Sequence, residues 1–147
     1  YQKSEETETA NLNDVIKNIV EKYQDKKIDI NLEENLTINM RLNSVKRCLM
    51  NLIDNGLSYG KKVEIFAKKT LNNIIIFVDD DGPGIPEKEH QNVMKPFYRI
   101  DKSRGQNTSG VGLGLSIAND IIRSHGGTIS FEKSPLKGLR VKVSLPS

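Results

Sequence analysis

The stretch Gly110-Val111-Gly112-Leu113-Gly114-Leu115 sets glycines at alternate positions ahead of a helical pattern. A glycine lets the backbone come close to a ligand, and the first N–H groups of a following helix remain free for a phosphate. The motif is weak alone. A dinucleotide-binding turn needs its glycines straight after a strand, and here an irregular polar segment precedes them. The GxxxxGK[ST] pattern of a P-loop is absent. A glycine turn before an ordinary helix is the competing reading.

Asp80, followed by Gly82 and Gly84, ends an apolar run. A carboxylate there could accept a hydrogen bond from an adenine amino group, and the glycines would let the ring lie against the backbone. The composition also suits a plain acidic turn. Asp79, Asp80 and Asp81 are adjacent on extended backbone, so they point in different directions and make a poor metal cluster. Asn51, Asn55 and Tyr59 stand at i, i+4 and i+8 and share one helix face. Amide oxygens suit Mg²⁺; the alternative is two polar surface positions. From Lys95 to Arg104 there are four basic residues, Lys95, Arg99, Lys102 and Arg104, and one acid, Asp101. Such a loop could close over an anion, or simply be solvated.

These residues need elements to position them. Leu12, Val15, Ile16, Ile19, Val20 and Tyr23 predict a helix capped by Asn11 or Asn13. Residues 28–32 and 36–40 alternate as strands, with Glu33-Glu34-Asn35 as a turn between them. Val45, Cys48, Leu49, Leu52, Ile53 and Gly56 make one broad apolar face on a helix over 44–59. Residues 63–67 alternate. The continuous run 74–78 reads as a central, doubly covered strand. Pro86 to Glu89 open a short helix. A loop over 95–109 leads to a helix from Val111 to about Ser124, stopped by Gly126-Gly127. Residues 128–131 and 139–145 form a final hairpin. Strands in adjacent pairs favour an α+β, two-layer α/β sandwich: a mixed, mainly antiparallel sheet with helices on one face.

The size fits one domain. A polar N-terminal segment, residues 1–11, reads as a linker remnant, and residues 12–147 as the domain. The chain begins at Tyr1, which suggests a piece of a longer protein. No segment has the roughly 20 apolar residues of a membrane span. A net charge of +3 does not argue for nucleic acid. The single cysteine, Cys48, excludes an internal disulfide and sits in an apolar pattern.

Together the motifs resemble the N, G1 and G2 boxes of the GHKL ATPase superfamily, in order and spacing. Asn51-Leu52-Ile53-Asp54-Asn55 matches the first, Asp80 to Gly84 the second and Gly110 to Leu115 the third. Pro96-Phe97-Tyr98-Arg99 and Asp101-Lys102-Ser103-Arg104 resemble the F box and lid of sensor histidine kinases. His125-Gly126-Gly127 and Val143-Ser144-Leu145-Pro146 also fit. The resemblance covers residues 12–147. Ser44 to Arg47 and Ser58-Tyr59-Gly60 are most similar to the EnvZ-type subgroup.

The resemblance implies a Bergerat fold that binds Mg²⁺-ATP and donates the γ-phosphoryl group to a histidine on a separate dimerisation domain of the same protein. A response regulator follows indirectly, and the implied setting is the cytoplasmic part of a membrane-anchored sensor kinase. Asn55 would hold Mg²⁺, with Asn51 beside it and Tyr59 on the nucleotide. Asp80 would take the adenine amino group, with Gly82, Gly84 and Ile85 lining the pocket. Backbone amides of Gly110, Val111, Gly112, Leu113, Gly114 and Leu115 would face the phosphates. Arg99 would reach the terminal phosphate, with Ile100, Lys102 and Arg104 in the same segment; Asn55 and Arg99 would carry catalysis. Some positions depart from the family. Gly56 replaces a customary Ala, and Ser58 stands where a Lys or Arg is usual, with Lys61 or Lys62 as candidates to compensate. Met94 replaces a Phe, and Leu139 a Thr. His90 and His125 lack the flanking acids of a phosphoacceptor. Another GHKL-type ATPase and a nucleotide-binding pseudokinase are the alternatives.

Overall fold

The computed structural model describes residues 5–98 and 114–147. The chain order is β1 (Glu8–Asn11), α1 (Leu12–Val20), β2 (Lys27–Leu32), β3 (Thr37–Met40), α2 (Leu42–Tyr59), β4 (Lys62–Lys69), β5 (Asn73–Asp80), α3 (Gly114–Ser124), β6 (Thr128–Lys133) and β7 (Leu139–Pro146). Single 3₁₀ turns cover Glu21–Tyr23, Glu87–Glu89 and Asn92–Met94.

A five-stranded sheet runs in the order β2-β4-β5-β7-β6. Only β2 runs parallel to its neighbour, β4; the other pairs are antiparallel. The strands alternate because one face meets the helices. Val63, Ile65, Ala67, Ile74, Ile76, Val78, Val141 and Val143 point inward and pack with Leu12, Ile16, Ile19, Leu49, Leu52, Ile53, Ala118 and Ile122. Asn11 is the cap of α1, its side chain accepting from the Asn13 N–H at 2.8 Å. Gly126, at φ 81°, stops α3 where the glycine pair predicts, and the Gly127 N–H reaches back to the Ile122 carbonyl. Cys48 is buried against the Ala118 carbonyl, and burial pushes its thiol up to about 12.

The strands over 27–32 and 37–40 are not partners. β2 joins β4, while β3 pairs with β1 in a separate two-stranded ribbon. The turn between them therefore changes sheet rather than closing a hairpin. Asn13 brings it back to α1: its side-chain amide donates to the Glu33 carbonyl and its oxygen accepts from the Leu36 N–H. Part of the polar N-terminal segment belongs to this ribbon, and Ala10 packs against the core.

β5 is central and buried from Ile74 to Asp80, but helices cover only one of its faces. Neighbouring side chains close the other. Phe66 stacks on Phe77 at 6.0 Å, and the Arg140 guanidinium lies 4.1 Å from the Phe77 ring centre. Arg140 is held there by Asp79, with bonds of 2.8 and 3.0 Å to its two carboxylate oxygens. A cation over an aromatic face, pinned by a buried carboxylate, replaces a second layer. Asp79→Asn is expected to lower stability by about 1–3 kcal/mol, because Arg140 loses its ionic partner; urea unfolding measures it.

Candidate nucleotide site

α2 is the spine of the site. Asn51 and Asn55 are half-buried along one edge of its apolar face, and Tyr59, a turn further on, is 51% exposed. A Cβ on Gly114, at the start of α3, would lie 4.0 Å from the Asn51 carbonyl. One on Gly56 would lie 2.9 Å from Val63 Cγ2 and 3.7 Å from Asp80 Oδ2. One on Gly82 would lie 2.8 Å from the Tyr59 carbonyl oxygen. The helix thus runs from the G2 glycine at Asn51, past Asp80, to the G1 loop at Tyr59. The Gly56 contact also accounts for glycine in place of alanine: helix and sheet are too close here for a methyl group.

The three aspartates leave β5 in three directions. Asp79 turns to the outer face and Arg140. Asp81 turns back, its Oδ1 accepting from the Lys61 and Lys62 N–H groups. Asp80 points inward and is only 4% exposed. Its Oδ1 accepts from Gly82 N–H at 2.9 Å and Leu139 N–H at 3.1 Å, and Oδ2 has no donor among the described residues. Burial pushes the Asp80 carboxyl above its ordinary value, the two amides oppose this, and the charges of Asp81 and Asp79 push it up further. A buried carboxylate with one oxygen pinned and the other uncommitted is arranged to accept a hydrogen bond from outside the chain.

Gly84, at φ 76°, turns the chain beside the Gly138 carbonyl, and Ile85 packs partly against the core. His90 Nε2 lies 3.1 Å from the Ile85 carbonyl, and its ring meets Phe131 edge-on. His125 Nε2 accepts from the Arg41 N–H, which leaves Nδ1 to donate to the Ile121 carbonyl. Both histidines therefore hold backbone. Leu115 is buried in the core, as is Leu139, which offers Asp80 its backbone N–H. Met94 packs partly against the core. Tyr98 donates to both oxygens of Glu89, at 2.7 and 2.9 Å.

Ser58, at the expected cation position, is exposed and donates to the Asp54 carbonyl of its own helix. Lys62 does not compensate: it pairs with Asp29 and Glu64 at 3.3 Å each, on the outer sheet face. Arg99, Ile100, Lys102, Arg104, Gly110, Val111, Gly112 and Leu113 lie outside the described residues. Two residues escaped the reading of motifs. Asp81 is hidden as one of three adjacent acids, with no spacing that sets it apart. Gly138 reveals itself only by its distance from Asp80, across the sheet. A concavity of about 410 Å³ opens on the outer face around Lys68, Ile75, Phe77 and Lys142, away from these residues.

Residues 40–147 match the family described as Histidine kinase-, DNA gyrase B-, and HSP90-like ATPase, and the chain belongs to that family. Its relatives within it are sensor histidine kinases. It is 41% identical over 103 residues to the sensor histidine kinase GtrS of Pseudomonas aeruginosa, covering 70% of this chain and 21% of GtrS. It is 34% identical over 148 residues to the histidine-protein kinase ArlS of Staphylococcus aureus, covering 95% of this chain and 33% of ArlS. The chain thus spans a third or less of these relatives. The solved catalytic domain of the histidine kinase ThkA superposes with a TM-score of 0.80 at 28% identity, over 96% of this chain and 95% of that one. The chain is a histidine kinase-type ATPase domain.

Proposed function

We propose that this domain binds ATP with Mg²⁺ and donates the γ-phosphoryl group to a histidine on a separate dimerisation domain of the same protein, from which a response regulator is served. The observation that carries the reading is Asp80: buried, with Oδ1 held by two amides and Oδ2 uncommitted. An adenine amino group is a suitable donor to it, with Gly82, Gly84 and Ile85 as the pocket wall. Asn55 and Asn51 offer neutral amide oxygens. No group of three His, Cys, Asp or Glu side chains suited to a metal stands among the described residues. That donor set fits Mg²⁺ held mainly by phosphate and water, with Asn55 as its protein ligand. When bound, the ion would neutralise phosphate charge. The chain itself would contribute orientation: Asp80 fixes the base, α2 sets the distance from base to phosphates, and the amides of Gly110 to Leu115 meet the phosphates. Arg99, with Ile100, Lys102 and Arg104 in the same loop, is assigned to the terminal phosphate.

Calorimetric titration with ATP in Mg²⁺, followed by transfer to an added dimerisation domain, tests this reading. Saturable binding and transfer are expected; no binding would sink it. Binding without transfer would favour the pseudokinase alternative, which Ser58 motivates. Asn55→Ala is expected to remove the Mg²⁺ dependence: affinity in Mg²⁺ falls about tenfold or more toward the value in EDTA. Equal Mg²⁺ dependence in variant and wild type would reassign the metal.

A further inference from the structure

We infer that Asp81 is a positioning residue for nucleotide binding, whose carboxylate fastens the turn after α2 to the loop after β5 so that the two walls of the site move as one body. This rests on the nucleotide reading above. Asp81 Oδ1 accepts from the Lys61 N–H at 2.7 Å and the Lys62 N–H at 3.1 Å. These amides directly follow Gly60, the C-cap of α2, whose own N–H closes the last turn on the Gly56 carbonyl. The same two segments touch through backbone. A Cβ on Gly60 would stand 2.5 Å from Asp81 Oδ1 and 2.9 Å from the Gly82 nitrogen, and one on Gly82 would stand 2.8 Å from the Tyr59 carbonyl oxygen. The glycines permit this approach, and Asp81 supplies the bonds that hold it.

The position of the fastening gives it its effect. The β4–β5 ladder sets Val63 opposite Asp80. Asp81 carries the connection one residue beyond the ladder, where sheet hydrogen bonds no longer hold the chains together. On one side of the joint lies Asp80; on the other lies Tyr59, with Asn55 one helical turn before it. The distance from base to phosphates depends on this joint. The Lys62 and Lys61 amides hold the Asp81 carboxyl below the ordinary carboxylate range, consistent with a charge in use as an acceptor. Asp81 is exposed and contributes no core packing.

The test compares wild type, Asp81→Ala, Asp81→Asn and a distant destabilised control, Ile16→Val in α1. Each is titrated with ATP and Mg²⁺ well below its Tm, and amide exchange is read by NMR. Asparagine keeps an acceptor oxygen in place. For Asp81→Ala, the Lys61 and Lys62 amides are expected to exchange about tenfold faster and the ATP Kd to rise about tenfold, whereas Asp81→Asn stays within about threefold of wild type. The control should lose Tm and keep its affinity. Unchanged affinity in Asp81→Ala, failure of asparagine to rescue, or an equal loss in the control overturns the inference while wild-type binding stands. A wild type that does not bind overturns the nucleotide reading and this inference with it. Should Asp81→Ala not fold, wild-type exchange decides: Lys61 and Lys62 amides no better protected than that of exposed Leu71 would overturn the fastening, and clear protection kept in Asp81→Asn would support it.

Discussion

Gly138→Ala is expected to lower folding stability by about 3 kcal/mol and to abolish nucleotide binding at millimolar ATP. A Cβ at this position would stand 2.6 Å from the Gly82 nitrogen, and closer still to the Asp80 carbonyl oxygen and Oδ1. Two of these neighbours are backbone atoms, and the third is a carboxylate oxygen held by two amides. None can turn aside as a long side chain would. Relief therefore means separating β7 from β5 at their ends, or expelling Asp80 from its bonds to Gly82 and Leu139. Either movement changes the carboxylate assigned to adenine. For a domain of this length, such a loss lowers Tm by roughly 10 °C. Thermal unfolding and an ATP titration of the folded fraction check both halves. A folded variant with wild-type affinity would show that Asp80 does not depend on this glycine.

Asp80→Asn should do something different: weaken ATP binding by about 1–3 kcal/mol, the scale of a lost hydrogen bond to a charged group, while leaving the empty domain at least as stable. The carboxyl is raised first by burial, against the two amides, and further by its acidic neighbours. A folded-state value above the unfolded one means that the neutral form is favoured by folding. That contribution is full below the ordinary carboxylate pKa and is lost as pH rises through the raised one. At neutral pH the wild type therefore bears the cost of a buried charge, which asparagine removes while still offering an oxygen to Gly82 and Leu139. Wild-type affinity should fall as pH drops through the raised value and Asp80 gains its proton; the variant should be flat over that window. Calorimetry across pH with parallel melts decides. Unchanged affinity in Asp80→Asn would remove Asp80 from the base pocket.

Most of the architecture was legible because it rests on periodicity. The broad face of α2 and the apolar run of β5 each need a partner surface, and each found it. β1 was invisible: Glu-Thr-Ala-Asn carries no alternation, and it is a strand only because β3 lies beside it. The partners of β2 and β3 were equally hidden. Both alternate, and alternation reveals a buried face without naming the strand alongside. In the candidate site, Asn51, Asn55 and Asp80 are singled out by spacing and by position at element ends. Asp81 and Gly138 are not, since the contacts that draw attention to them reach across a gap that the linear sequence does not record. Of the two candidates to compensate for Ser58, Lys61 and Lys62, strand alternation turns Lys62 toward Asp29 and Glu64.

The parallel pairing of β2 with β4 also orders the way the domain assembles. The β4–β5 and β6–β7 pairs each close over a short turn, so little chain entropy is lost in bringing them together. β2 can meet β4 only across a loop holding β3 and the whole of α2. The helix that bears Asn51 and Asn55 is therefore the crossover of the sheet's parallel pair, a non-local contact of the kind that slows folding. A chain arrested before this closure keeps Asp80 on a formed hairpin but has not yet locked α2 against it. The capacity to hold a nucleotide then becomes a property of the finished molecule, and ligand binding a stringent measure of refolding.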